Sequence, residues 1–171
     1  MSKPFLESST PAAASGAGPV PPGAAIVLRR ARSADVAAIA ALSAPFAARD
    51  LLLTRSVDQI HSAVPDFVVA MAGRTLLGCA GFAAGGDGFL LYNLCVSERA
   101  QGAGIGTRLI ECGIRGRAPR GGELIAVSRH SGSWFLRRGF VEVPPWQVPQ
   151  VWRPHLRPDR GSAVYRMPLD R

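Results

Sequence analysis

The segment Gln101-Gly102-Ala103-Gly104-Ile105-Gly106 lies between a predicted strand and a predicted helix. The apolar run at residues 89–96 indicates the strand, and residues 107–112 are typical of the first turns of a helix. A glycine-rich turn in this position can bind phosphate, because backbone N–H groups converge on one concavity and the helix dipole adds positive charge. The segment is neither a G-x-G-x-x-G dinucleotide fingerprint nor a P-loop with Gly-Lys-Ser/Thr.

Residues 101–106 resemble the acetyl-CoA motif of the GNAT N-acetyltransferases, R/Q-x-x-G-x-G/A, and meet it in full. Farther along the chain, residues 134–140 (Trp-Phe-Leu-Arg-Arg-Gly-Phe) resemble the aromatic-aromatic-x-x-x-Gly-Phe element of the same family. The resemblance covers roughly residues 26–169. It implies an α/β GNAT fold with a mixed central sheet of six to seven strands, a splayed pair of fourth and fifth strands, and about four helices.

Four shorter segments resemble the acetyltransferase domain of the N-acetylglutamate synthases. They are residues 51–56 (Leu-Leu-Leu-Thr-Arg-Ser), 78–82 (Gly-Cys-Ala-Gly-Phe), 128–140 and 159–162 (Asp-Arg-Gly-Ser). The resemblance implies an amino-acid N-acetyltransferase with an acceptor such as glutamate and a role in arginine biosynthesis. Two alternatives stay open: acetylation of another small amine or natural product, and a GNAT-fold module that binds acyl-CoA with little turnover.

The GNAT resemblance implies acetyl-CoA as the co-substrate and no metal. It also implies that a backbone N–H near Cys95 or Val96 polarises the thioester carbonyl, whereas we expect the side chain of Cys95 in the core. The residues implied for binding acetyl-CoA are Leu94, Val96, Gln101, Gly102, Ala103, Gly104, Ile105, Gly106 and Thr107.

Resemblance to the synthases implies that Arg55, Arg160 and Ser162 bind the acceptor. The planar fork of arginine suits this role, since it pairs with a carboxylate through two hydrogen bonds. The alternative is that Arg55 is a surface arginine before a helix cap and Arg160 one of many arginines in a basic tail. We expect the first arrangement, because the three residues match the family pattern together.

The proton chemistry is the least defined part of the resemblance. Many GNAT enzymes carry a catalytic Tyr where this chain has Phe135, and the synthases imply Ser128 as the proton donor instead. Ser128 could equally cap the following turn. The synthases also have an acidic residue, a proposed base, where this chain has Leu90. The remaining candidates for the base are a relayed water, Asp87, Glu98, His61 and His130.

Composition sets the class of protein. A chain of 171 residues that is 47% hydrophobic is long enough for one globular domain with a substantial core. We expect no membrane span, because no apolar run approaches the roughly 18 residues that a span needs, and no signal peptide. Cys79, Cys95 and Cys112 lack metal-ligand spacing, so we expect reduced core thiols and a cytoplasmic protein.

The formal net charge is +8, and all 20 basic residues except Lys3 are arginines. Base-composition bias, attraction of anionic ligands such as CoA, and nucleic-acid binding could each explain this charge. No recognised nucleic-acid motif accompanies it, so we expect a small-molecule amine as the partner, without nucleic acid or membrane. The sequence leaves a homodimer open.

Residues 1–25 are rich in Pro, Ala, Ser and Gly, and we predict a disordered tail before a GNAT acetyltransferase domain at 26–171. Ser33 and Ser56 are the predicted N-caps of the first two helices. Prolines predict no regular structure between residues 144 and 162. The predicted strands are 26–30, 66–71, 75–83, 89–96, 123–127, 140–143 and 163–167, and the predicted helices 33–44, 56–63, 107–116 and 131–138.

Overall fold

The computed structural model describes residues 23–169, so most of the predicted tail lies outside the described residues. The described part contains seven strands and four α-helices in the predicted order. The strands are β1 (Ile26–Arg30), β2 (Phe67–Ala72), β3 (Thr75–Gly85), β4 (Gly88–Val96), β5 (Glu123–Ser128), β6 (Val141–Val143) and β7 (Ala163–Pro168). The helices are α1 (Val36–Ala48), α2 (Val57–Ser62), α3 (Ile105–Ile114) and α4 (Gly132–Leu136).

The strands form one mixed sheet in the order β1-β2-β3-β4-β5-β7-β6. Among the described strands, only the β4–β5 pair is parallel, and its pairing ends at Leu91↔Ala126, although β4 continues to Val96. The two strands therefore separate, as the GNAT resemblance predicted. A bulge coincides with the separation: the β3–β4 register shifts between Cys79 and Gly81, and Asn93 has a left-handed backbone with φ of +52°.

Apolar clusters cover both faces of this sheet. One cluster joins Phe82 and Leu124 of the sheet to Leu109 of α3. Another joins Ile39 of α1 and Ile60 of α2 to buried strand residues. The helices thus fix the sheet from both sides, and the gap between β4 and β5 opens at one edge of the core.

The helix starts were predicted with mixed success. Ser56 does cap α2, since its hydroxyl accepts the Gln59 N–H at 3.1 Å while the Gln59 side chain accepts the Ser56 N–H at 2.8 Å. The Ser33 prediction was wrong: Ser33 begins a 3₁₀ turn, and Asp35 accepts the main-chain N–H of Arg32 at 2.7 Å. The α1 helix also extends to Ala48 and contains Pro45. Proline removes only one hydrogen bond of the helix, and its fixed φ is compatible with helical backbone.

The proline-rich segment 144–162 is more ordered than predicted. It forms three 3₁₀ turns, Pro145–Gln147, Gln150–His155 and Pro158–Arg160. Proline fits the first positions of such turns, where its missing N–H costs nothing. Trp152 anchors the segment with only 3% of its surface exposed, and the segment ends beside β7.

Candidate active site

The turn between β4 and α3 presents free backbone donors. Gly102 and Gly104 have φ of +84° and +74°, and Gly104 is the N-cap of α3. Within residues 23–169, the N–H groups of residues 102–107 donate to no protein acceptor. The Gln101 side chain donates to the Val96 carbonyl at 3.0 Å and ties the turn to the end of β4. This geometry suits an anion at the start of a helix.

The two motifs found separately in the sequence are adjacent in space. A Cβ on Gly106 would lie 2.8 Å from the Trp134 ring, so this glycine lets the ring approach α3. The Arg138 guanidinium lies 3.7 Å over that ring and donates through Nε to the Thr107 hydroxyl at 2.8 Å. Arg138 therefore holds the first turn of α3 in place, a role that the sequence analysis missed.

Cys95 lies at the separated end of β4, with its side chain in the core. Its thiol is 3.6 Å from the Cys79 sulfur and 3.8 Å from the Ser43 hydroxyl. The Asn93 side chain donates to Ser43 at 2.9 Å and completes this buried polar group. All three cysteines are free thiols. Only the main chain of Cys95 is left for the predicted role in catalysis.

A cavity of about 570 Å³ opens where β4 and β5 separate, and we call it the central cavity. It contains all four residues predicted for the acceptor and the proton donor, although three different parts of the chain supply them. Arg55 comes from the loop before α2, Ser128 from the end of β5, and Arg160 and Ser162 from the turn before β7.

Four arginines and one aspartate line the central cavity. Asp50 accepts from Arg129 at 2.6 Å and also pairs with Arg160. The Arg55 guanidinium instead lies 4.7 Å over the Tyr92 ring. Burial lowers the pKa of Arg55, but an arginine remains cationic at neutral pH. The cavity therefore carries an excess of positive charge, which favours an anionic ligand.

Ser128 fits both interpretations of its role. Its hydroxyl oxygen accepts the Ser131 N–H at 3.0 Å, as in a turn cap, and the residue lines the central cavity. Leu90 also lines this cavity and is 5% exposed, so the wall is apolar where the synthases imply an acid.

The predicted alternatives for the base lie elsewhere. Asp87, Glu98, His61 and His130 do not line the cavity, and Glu98 forms an ion pair with Arg49 at 2.8 Å. His155 does line it.

Several cavity residues were missed by the sequence analysis. Tyr92 had a usable signal, because it lies two positions after Leu90 and alternate residues share one face of a strand. Asp50, Arg129 and His155 had none, since bends and turns outside the strands and α-helices bring them to the cavity.

A second cavity of about 610 Å³ adjoins the first, and we call it the side cavity. The two share Val127, Pro154, Arg157 and Ser162. Its wall is mostly apolar and includes Trp146, which is 74% exposed. The Arg153 guanidinium lines it too, but donates to the carbonyls of Val148 and Trp146.

Comparisons with known proteins identify the family. The acetyltransferase (GNAT) domain model matches residues 64–142. An uncharacterised N-acetyltransferase of Chlorobaculum tepidum is 30% identical over 134 residues, which cover 77% of this chain and 86% of that protein. The chain belongs to the GNAT acetyltransferase family. Its mixed sheet with a parallel β4–β5 pair is the GNAT fold.

Two further relatives concern amino acids. The amino-acid acetyltransferase of Neisseria meningitidis serogroup A is 32% identical over 143 residues, covering 81% of this GNAT chain and 33% of the relative. The N-acetylglutamate synthase from Neisseria gonorrhoeae, solved with coenzyme A and N-acetyl-glutamate, has a TM-score of 0.80 and 31% identity. This match covers 86% of this chain and 36% of the synthase. The chain thus spans about a third of the length of these relatives.

Residues 23–169 contain no group of three or more His, Cys, Asp or Glu side chains that could hold a metal ion. The helices in this part of the GNAT chain are also too short or too polar to cross a membrane.

Proposed function

We propose that this GNAT enzyme transfers the acetyl group of acetyl-CoA to the primary amine of a small carboxylate-bearing molecule, an amino acid such as glutamate. The central cavity carries the proposal, because it combines Arg55, Ser128, Arg160 and Ser162 at the separation of β4 from β5. The bound coenzyme A and N-acetyl-glutamate of the similar synthase support the same ligand pair. With glutamate as the acceptor, the enzyme would serve arginine biosynthesis, and the cytoplasmic location stays a prediction.

The CoA half of the site uses the main chain. The pyrophosphate accepts hydrogen bonds from the free N–H groups of residues 102–107, with Gln101 bracing the turn against Val96. The thioester then enters the gap between β4 and β5. There a main-chain N–H of Cys95 or Val96 donates to the carbonyl oxygen and stabilises the negative charge that develops on it. Leu94 and Val96 complete the wall beside the pantetheine arm.

The acceptor half uses charged side chains. Arg55 and Arg160 bind the carboxylate, and Ser162 adds a hydroxyl on the same wall. An incoming carboxylate competes with Asp50 for Arg160. This arrangement places the amine next to the thioester and disfavours amines that have no anionic group.

In the proposed acetyl transfer, Ser128 supplies the proton for the leaving thiolate. The amine nitrogen bonds to the thioester carbon, the C–S bond breaks, and the CoA thiolate takes the Ser128 hydroxyl proton. The proton lost by the acetylated nitrogen then restores Ser128. The amine must enter neutral, and because Leu90 supplies no carboxylate, its first proton leaves to water or to His155.

The side cavity favours a second candidate within the same family. Its apolar wall continues from the central cavity through Val127 and Pro154, and it has room for a bulky group attached to the acceptor. A larger carboxylate-bearing amine, such as a natural product, would use both cavities. The same experiment tests both candidates.

The experiment measures free thiol released from acetyl-CoA with a panel of amines. L-Glutamate and 4-aminobutanoate form a matched pair, since the second lacks only the α-carboxylate, and bulky amino acids with their decarboxylated amines form further pairs. We expect each reactive amino acid to exceed its decarboxylated partner at least tenfold in kcat/KM, as for loss of about 1.4 kcal/mol of binding. Equal rates within every pair would remove the carboxylate from the proposal.

A further inference from the structure

Tyr92 is held from three sides at the point where β4 leaves β5. Its hydroxyl donates to Asp66 Oδ2 at 3.1 Å, and its ring packs edge-on against Phe67 with 5.5 Å between ring centroids. The guanidinium of Arg55 covers one face at 4.7 Å from the ring centroid. The Tyr92 ring is thus a fixed surface on which Arg55 rests.

The backbone opposite Tyr92 is shaped for this ring. Gly81 pairs with Tyr92 across the β3–β4 ladder, and a Cβ on Gly81 would lie 2.5 Å from the ring. Any larger residue at position 81 would therefore displace the Tyr92 ring. A side chain confined in this way is held in a single orientation.

Proton transfer is an unsuitable role for Tyr92. Burial, together with the nearby Asp66 carboxylate, raises the pKa of the phenol well above its usual value, which makes it a weaker proton donor. Its hydroxyl is also engaged with Asp66. A role in placing Arg55 is left.

Arg55 is the cavity arginine that most needs placing. Arg129 and Arg160 are oriented by Asp50, whereas Arg55 and Arg157 pair with no carboxylate among residues 23–169. Arg157 is exposed, and Arg55 is half-buried in the cavity wall. A long side chain without an ion-pair partner has many rotamers, and ordering it on binding costs roughly 1–2 kcal/mol.

We propose that Tyr92 is a positioning residue that holds the Arg55 guanidinium over its ring, so that the fork is ready for the acceptor carboxylate. The proposal rests on the proposed function for the role of Arg55. Because the ring contacts the cation without accepting a conventional hydrogen bond, the guanidinium N–H groups stay free to donate, and the contact compensates the cation for the water that it lost. The enzyme therefore orders Arg55 on folding and not at the moment of substrate binding.

The kinetic test uses Tyr92→Leu, Tyr92→Phe, Arg55→Ala and the double variant Arg55→Ala/Tyr92→Leu. L-Glutamate is the acceptor, with the other amino acids of the panel assayed in parallel. Tyr92→Leu should raise the acceptor KM about three- to tenfold, the size of a partly desolvated cation–π contact, while kcat and the KM for acetyl-CoA stay within about twofold. Tyr92→Phe keeps the ring, so its acceptor KM should stay within about twofold of the native value.

The double variant separates positioning from direct contact. If Tyr92 acts through Arg55, its loss adds nothing once Arg55 is gone, and the double variant should match Arg55→Ala in acceptor KM. Effects that multiply would mean that Tyr92 touches the substrate itself and would overturn the proposal. So would an unchanged KM in a folded Tyr92→Leu protein. Tyr92→Met replaces Tyr92→Leu if the leucine variant does not fold.

A second readout does not depend on the substrate. Phenylglyoxal modifies exposed guanidinium groups, and peptide mass spectrometry gives the labelling rate of Arg55. Tyr92→Leu should speed this labelling at least about threefold, with Tyr92→Phe and the distant Arg74 as unchanged controls, because the ring covers one face of the cation. If no carboxylate-bearing amine is acetylated, the proposed function fails, and unchanged Arg55 labelling in Tyr92→Leu is then the result that overturns the positioning role.

Discussion

Substitution of Gly104 by valine tests the phosphate-binding turn with a matched control. Gly104 has φ of +74°, and Gly116, at the other end of α3, has φ of +68°. Nothing lies within 4 Å of a Cβ built on either glycine, so neither valine Cβ meets another protein group. Both variants should lose similar stability, at least about 1–2 kcal/mol, because a left-handed backbone is unfavourable for a residue with a Cβ.

Only the Gly104 variant should affect CoA. Its side chain would stand on the N-cap of α3, over the free N–H groups of residues 102–107. A displaced phosphate loses at least one charge-assisted hydrogen bond of about 1.5–3 kcal/mol. We therefore expect Gly104→Val to weaken CoA binding at least about tenfold, and Gly116→Val to leave it unchanged.

Isothermal calorimetry measures the CoA affinity of both variants, and thermal unfolding measures their stability. Unchanged CoA affinity in a folded Gly104→Val protein would refute phosphate binding at this turn. An equal loss in both variants would instead assign the effect to general destabilisation of α3, and that outcome would also refute the reasoning.

Three further predictions address the catalytic step and the fold. Ser128→Ala should lower kcat by roughly a hundredfold with CoA affinity unchanged; a kcat within a factor of two would mean that the proton comes from water or a histidine. Gly81→Ala should lower the free energy of unfolding by about 1–3 kcal/mol, measured by urea unfolding, because its Cβ meets the Tyr92 ring at 2.5 Å. The two hydrogen bonds from Arg29 to Asp35 hold the pKa of Asp35 below its usual value. The resulting stabilisation is complete above the unfolded pKa of about 3.9 and is lost as the pH falls through the folded value. Asp35→Asn should therefore destabilise the protein at pH 7 and flatten the acid limb of stability against pH, and an unaltered acid limb would contradict the pair.

The sequence predicted those parts of the fold that depend on local patterns. The β4 strand, the glycine turn and α3 follow from an apolar run and a glycine motif, and the Ser56 cap follows from a short-range signal. Ser33 was wrongly predicted as the N-cap, because contacts decide which residue caps a helix. Here the Arg29 guanidinium and the Arg32 main-chain N–H both donate to Asp35.

The cavity was only partly predictable. Family resemblance named Arg55, Ser128, Arg160 and Ser162, and the fold brings them into one cavity. Asp50 was not predicted as a cavity residue, because its partners Arg129 and Arg160 are far away in sequence and contact it only after folding. Long-range ion pairs of this kind leave no periodic or local signal.

The acceptor arginines provide the most direct test of the central claim. Steady-state kinetics on Arg55→Ala and Arg160→Ala, with Arg74→Ala as an exposed control for net charge, would measure KM for a reactive amino acid and affinity for acetyl-CoA. Removing a charge-assisted partner costs about 1.5–3 kcal/mol. We expect KM to rise roughly ten- to a hundredfold in both cavity variants, with acetyl-CoA affinity and the Arg74 control unchanged. Native KM values in both cavity variants would contradict a carboxylate-bearing acceptor, although the acetyltransferase fold would stand.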